Sequence, residues 1–313
     1  LDTLWKGKPM KIIDAHVHFS NISVFKSTAQ TQSHVDYSAN GLLEEFRQAG
    51  VVAGVGMGVA ETSEGAFPDS TVPNPMPLDL EESLPDNLFT CVGINPITLR
   101  CDGQIEALEQ SLRSERVVGI KLYAGYYHYS IGDEIYNPVY KLAAEYRLPI
   151  VVHGGLTYSD NGLLKYSHPL SMEETLLKHR ELTFMLCHLG DPWVMDTAAL
   201  LEKNPNLYAD LSGWVVGDGA KVERLMKERT YTDHFRRAIV FAEKYDRLVF
   251  GTDWPLVPLS PYIEFVRSLI PQEHWENVFY NNALRVFPKL GEWLKEMDQH
   301  ASQKKSENEE SRS

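Results

Sequence analysis

The chain has 313 residues, 43% hydrophobic and 23% charged, a balance ample for a large core and ordinary for a soluble globular protein. A formal net charge of -13 opposes binding to nucleic acid or an anionic membrane surface, and no stretch approaches the roughly 18 consecutive apolar residues of a membrane span. Cys91, Cys101 and Cys187 are odd in number and widely spaced, which fits reduced thiols in an intracellular protein better than a disulfide framework. The opening LDTLWKGKPM is too short and too polar for a signal peptide, so the cytoplasm is the expected compartment.

Short apolar runs recur along the chain, each followed by a stretch with helical spacing, which is the pattern of β/α units around a parallel sheet. Strands are predicted at Lys11 to His18, Val51 to Gly58, Leu88 to Asn95, Val117 to Tyr123, Pro149 to Gly155, Thr183 to Gly190, Leu207 to Gly213 and Arg247 to Trp254. Helical spacing follows in GLLEEFRQAG from Gly41, QIEALEQSLRSE from Gln104, NPVYKLAAEYR from Asn137 and DHFRRAIVFAEKY from Asp233. Eight such units fill about 250 residues as a (β/α)8 barrel, an α/β fold. A doubly wound open sheet is the competing architecture, but no glycine-rich phosphate fingerprint follows the first strand.

The connections Phe19 to Tyr37 and Val59 to Pro85 are long and follow the first two strands, which would put them at the C-terminal mouth of a barrel. The closing residues, EMDQHASQKKSENEESRS, are polar without apolar periodicity. The expected organisation is therefore one barrel over 1–295 and a disordered tail over 296–313.

Asp14-Ala-His16-Val-His18 ends the first apolar run. Strand alternation predicts that Asp14, His16 and His18 point into the barrel while Ile13, Ala15 and Val17 face the helices. Two imidazoles one residue apart on one face can reach a single ion, and burying both without a ligand would be costly. The same alternation turns His153 inward with Val151, places His188 on the face of Phe184 and Leu186, and places Asp253 on the face of Gly251 and Val249. Each is a polar residue at the end of an apolar strand, where a barrel gathers side chains at one mouth.

This order of residues, HxH on the first strand, His on the fifth and sixth and Asp on the eighth, resembles the amidohydrolase superfamily. The phrases HLGDPW, NLYADLSG and FGTDWP resemble its amidohydrolase-2 branch, which contains hydrolases and decarboxylases of the aminocarboxymuconate-semialdehyde type. The resemblance runs from Lys11 to about Phe287. It implies a TIM barrel with one divalent metal, usually zinc, at the C-terminal mouth, held by His16, His18, His153 and Asp253. It also implies an acid/base or electrophilic role for His188. Asp253 would both ligate and accept a proton.

Lys121 in VVGIKLY shares its face with Gly119 and Tyr123 and points into the barrel. In binuclear members of the superfamily a carboxylated lysine on this strand bridges two metals. In the mononuclear branch Lys121 would be a free cation for a substrate carboxylate. The following AGYYHYS brings Tyr123, Tyr126, Tyr127 and His128 toward the mouth, and Trp214 and Trp254 follow the last two strands as pocket walls or as packing. The expected substrate is a small carboxylate-bearing molecule, and the chain could form a homo-oligomer. Three activities compete: metal-dependent hydrolysis, non-oxidative decarboxylation, and an inactive binding role on the same scaffold.

Overall fold

The computed structural model describes residues 4–5, 8–19, 23–60, 75–76 and 85–297. Eight strands, β1 (Ile12–Val17), β2 (Val51–Met57), β3 (Leu88–Ile94), β4 (Val117–Leu122), β5 (Ile150–Val152), β6 (Phe184–Leu186), β7 (Leu207–Asp210) and β8 (Leu248–Val249), pair in chain order in one sheet, every ladder parallel. The seam between β8 and β1 is closed by backbone bonds from Ala15 N to Phe250 O at 3.0 Å, Asp253 N to His16 O at 2.8 Å and His18 N to Trp254 O at 2.6 Å. The sheet is thus a barrel with no free edge, and it is the (β/α)8 architecture that the alternation implies.

The strands read as continuous apolar runs because both of their faces are buried. One face packs on helices. The other forms an interior apolar cluster to which Ile13, Val55, Cys91, Val151, Met185 and Val249 belong. Val286, Phe287, Leu290 and Leu294 join that cluster, so the last described helical segments pack against the barrel interior and leave the other end open.

Around the barrel run α1 (Ser23–Thr28), α2 (Ala39–Ala49), α3 (Gln104–Leu112), α4 (Asn137–Tyr146), α5 (Glu173–Lys178), α6 (Val194–Lys203), α7 (Gly219–Lys227), α8 (Arg229–Ala242), α9 (Leu259–Arg267) and α10 (Asn282–Val286). The Ser38 hydroxyl caps α2 by accepting from Gly41 N at 3.0 Å, and Gly50 ends it at φ +73°, a conformation that costs glycine little. Buried Leu42 and Phe46 set α2 against the sheet so closely that a Cβ on Gly54 would lie 2.6 Å from the Phe46 ring. The helix expected from Asp233 starts earlier, at Arg229, where Glu228 caps it.

Two expectations about strand faces need correction. In β1 the pairing register shifts between Ile12 and Ile13 and again between Asp14 and Val17, so Ile13 and Ala15 enter the interior cluster rather than facing the helices. In β6 the helix-facing residues are Phe184 and Leu186, while Met185 and Cys187 face inward. His188 is therefore not placed by alternation. The strand stops at Leu186, and positive φ at His188 (62°) and Leu189 (50°) turns the ring back to the mouth. In β4, Val118 falls in the interior cluster at a register shift between Thr90 and Cys91.

Of the long connections, Phe19 to Tyr37 carries α1 and a further helical turn at Ala29–Ser33. In Val59 to Pro85, Val59–Ala60 pairs antiparallel with Pro75–Met76, and the rest lies outside the described residues, as does the tail beyond 297. All three cysteines are free thiols, and among the described residues no helix is long and apolar enough to cross a membrane.

Phe287 is fully buried at the plugged end. Phe287→Ala should cost about 3–5 kcal/mol of stability through lost burial and the cavity left behind. Denaturant unfolding measures this, and a loss below about 1 kcal/mol would contradict the plug's role.

Candidate metal centre

At the open end, His16 from β1 and His18 just beyond it meet Asp253 from the segment after β8. His16 Nε2 lies 3.2 Å from His18 Nε2 and 3.4 Å from Asp253 Oδ1, and His18 Nε2 lies 3.0 Å from the same oxygen. Asp253 is held there at φ +66°, its amide donating to the His16 carbonyl. Beside it Gly213 sits at φ +72°, and a Cβ there would fall 2.5 Å from His188 Nδ1 and 2.9 Å from Asp253 Oδ2. Only glycine leaves these two groups room.

Two residues absent from the sequence reading organise this centre. Asp210 ends β7, and its Oδ2 lies 2.9 Å from His16 Nδ1 while Oδ1 accepts from His188 N at 2.9 Å. Ser212 Oγ donates to Asp210 Oδ1 at 2.5 Å and lies 2.9 Å from His188 Nδ1. The signal for Asp210 was present: it is one more polar residue at the end of an apolar strand. Asp14, the other buried carboxyl, accepts from Thr252 Oγ1 at 2.6 Å and from the amides of Thr252 and His16.

Burial pushes the Asp210 and Asp253 carboxyls up, but the imidazoles packed around them, His16 foremost, outweigh it and hold both well below the carboxylate range. Burial moves the imidazoles the other way. His16 falls to about 4, His18 is lowered and His153 falls well below its ordinary value, so all three rings are neutral at pH 7.

These donors fit a divalent cation. A carboxylate cannot donate, so His16 Nδ1 carries the ring hydrogen toward Asp210, and His16 Nε2 turns a lone pair toward His18 and the Asp253 carboxylate. The His16 lone pair, His18 Nε2 and the Asp253 carboxylate converge out of water, an arrangement that a cation between them would satisfy. The ligating atoms of His16, His18 and Asp253 all fall within 4.8 Å of one another, as do those of His16, Cys187 and His188. Imidazole held by a carboxylate behind it is the usual support for such a ligand.

A cavity of about 300 Å³ opens over this centre, with His153, His188, Lys121, Tyr123 and Tyr126 on its wall beside His16, His18 and Asp253. His153 Nε2 lies 3.0 Å from the Leu156 carbonyl, and a carbonyl only accepts, so ligation through this nitrogen would require that bond to open. Lys121 is fully buried and its Nζ donates to Cys187 Sγ at 2.7 Å, with the Tyr123 ring 5.3 Å away. Burial holds the Tyr123 hydroxyl in its neutral form, and among the described residues no group bonds it.

Three aromatic candidates lie elsewhere. His128 is exposed and its Nε2 contacts the Asn161 carbonyl at 2.7 Å, off the cavity wall. Trp254 is fully buried behind the wall, donating to Glu45 Oε1 at 3.0 Å and stacked on Phe19. Trp214 donates to the His188 carbonyl at 2.9 Å and stacks on Phe235.

The sequence profile of the amidohydrolase-2 family, described simply as amidohydrolase, matches residues 13–289. The chain belongs to the amidohydrolase family. No curated protein matches it in sequence. Similar solved structures include a 2,6-dihydroxybenzoate decarboxylase from Rhizobium (14% identity, 89% of this chain and 98% of that one, TM-score 0.60). Another is a probable 2-pyrone-4,6-dicarboxylic acid hydrolase from Acinetobacter baumannii, solved with citric acid (14%, 89% and 99%, TM-score 0.58). A third is an amidohydrolase from Burkholderia multivorans solved with bound zinc (16%, 88% and 98%, TM-score 0.58). At these identities the likeness is one of fold. As an amidohydrolase the chain falls in a metal-dependent family with both hydrolase and decarboxylase neighbours.

Two outcomes follow from the centre. His16→Ala combined with His18→Ala should bring divalent-metal content after dialysis close to zero while the unfolding transition persists; full occupancy in elemental analysis would contradict the site. For the metal-free protein, the depressed imidazoles of His16, His18 and His153 mean that below pH 6.5 the unfolded chain binds protons the folded one refuses. Asp14, raised by burial to about 7, acts in the opposite sense. Three imidazoles outweigh one carboxyl, so stability should fall as pH is lowered from about 6.5 toward 4. Urea midpoints that rise over that interval would contradict the assignment.

Proposed function

We propose that this amidohydrolase hydrolyses a small carboxylate-bearing substrate with one bound zinc ion, held by His16, His18 and Asp253 with His153 as the fourth ligand. The observation that carries the reading is the buried Lys121 ammonium on the wall of the same cavity that the three converging ligands floor. Among the described residues the ammonium donates to the Cys187 sulfur, and a cation there suits an anionic substrate group. Its contact with a neutral sulfur favours a free ammonium, and hence one metal ion, over a carboxylated Lys121 bridging two.

A zinc ion so held supplies a lowered water pKa and a polarised substrate oxygen. The protein does the rest. Lys121 and the Tyr123 hydroxyl orient the substrate carboxylate, and Val24, Phe25, Val216 and Leu256 exclude water from the reacting end. Asp253 stays ionised, so its carboxylate accepts the proton of the attacking water. The ring of His188, on the wall of the same cavity, is placed to take up that proton and pass it to the leaving group.

A second reading is non-oxidative decarboxylation. The aromatic walls Phe25, Tyr126 and Tyr158 favour it, because they suit a planar aryl acid. Incubation with lactone, ester and aryl carboxylate panels separates the two readings: acid release without carbon dioxide supports hydrolysis, and carbon dioxide release overturns it. On any turned-over carboxylate, Lys121→Ala should raise KM roughly 10-fold to 100-fold, the value of a lost hydrogen bond to a charged group, and leave the zinc content at one. An unchanged KM, or a second zinc lost with the lysine, would remove this role.

A further inference from the structure

Ser212 Oγ has three neighbours within hydrogen-bond reach: Asp210 Oδ1 at 2.5 Å, His188 Nδ1 at 2.9 Å and His16 Nδ1 at 3.2 Å. A hydroxyl owns one hydrogen, and an ionised carboxylate owns none. The serine hydrogen therefore goes to Asp210, which already gathers the amides of Ser212 and His188 on the same oxygen. What faces the two imidazoles is a pair of serine lone pairs, and only an N–H can approach them. His188 Nδ1 must carry its hydrogen. The backbone carbonyl of Ser212, 3.3 Å from the same nitrogen, is a second group that can only accept. With Nδ1 spent in this way, Nε2 is the nitrogen that His188 offers to the cavity it lines. On the other side, the same carboxylate takes the His16 Nδ1 hydrogen on Oδ2 at 2.9 Å.

We propose that Ser212 is a positioning residue which, anchored by Asp210, locks His188 in the Nδ1–H tautomer so that a proton-accepting Nε2 faces the substrate. Asp210 thereby sets two imidazoles at once, the one that faces the ion and the one that moves protons. A hydroxyl turned by the carboxylate behind it cannot swing to donate to His188, so the opposite tautomer, with a lone pair on Nδ1, would meet oxygen lone pairs and be excluded. The proposal deepens the function given above and rests on its assignment of proton transfer to His188.

The test reads the tautomer directly and needs no substrate. The zinc-loaded protein, labelled with 15N-histidine, is compared by long-range 1H–15N correlation with His188→Gln, which identifies the His188 signals. A protonated-type Nδ1 and a lone-pair-type Nε2 in the wild type are expected. The reverse pattern would overturn the proposal. In Ser212→Ala the His188 signals should move toward a mixture of tautomers, and unchanged signals would overturn the role of the hydroxyl. On a turned-over substrate, Ser212→Ala should lower kcat roughly 10-fold to 100-fold with KM unchanged, as for loss of a group that orients a site residue, and Ser212→Thr should restore most of it. Full kcat in Ser212→Ala would also count against it. If no carboxylate substrate is turned over, the functional reading fails while the tautomer result still decides this one.

Discussion

The mouth of the barrel depends on the placement of one neutral imidazole, His16, out of water between two carboxylates. Its Nδ1 is held by Asp210 and its Nε2 faces Asp253, while its backbone donates to Asp14 and accepts from Asp253. The residue that turns a lone pair toward the cation position is therefore also part of the seam that closes the barrel. Burying such a group has a cost, which its two side-chain partners offset. The arrangement ties folding to chemistry: the centre cannot be loosened without opening the closure between β1 and β8.

Most of the architecture was legible because parallel strands covered on both faces leave an unmistakable mark, a run of apolar residues with a polar one at the end. That signal located all eight strands, and with them His16, His18, His153, His188 and Asp253. It failed where the backbone departs from the regular pleat. The register shift in β1 reverses Ile13 and Ala15, and the left-handed turn at His188 reverses the face on which that ring was expected; neither has a periodicity to betray it. Asp210 was legible by the same rule as the others and was passed over, and Ser212 gains meaning only once Asp210 and His188 are seen on either side of it.

Aromatic residues near the mouth were the least readable. An indole or imidazole at a strand end looks the same in sequence whether it walls a pocket or packs behind it. Trp254 is claimed by Glu45, which lies 209 positions away in the chain, and His128 by a carbonyl of the next loop. Partners so remote are set by the closed barrel, and local sequence carries no trace of them. The lysine on β4 was placed correctly inside the barrel, but its neighbour Cys187 arrives from β6, two strands away.

The left-handed backbone at His188 and Asp253 gives the protein a distinctive evolutionary liability. At φ of 62° and 66°, histidine and aspartate occupy a region that glycine would fill at less conformational cost, on the order of 1 kcal/mol at each site. The fold thus accepts strain at two positions on the wall of its cavity. A descendant released from selection at the mouth would become more stable by drifting to glycine at either position, keeping the barrel while discarding those side chains. Glycine at either position in an otherwise intact relative would mark a barrel that has kept its fold and given up the centre at its mouth.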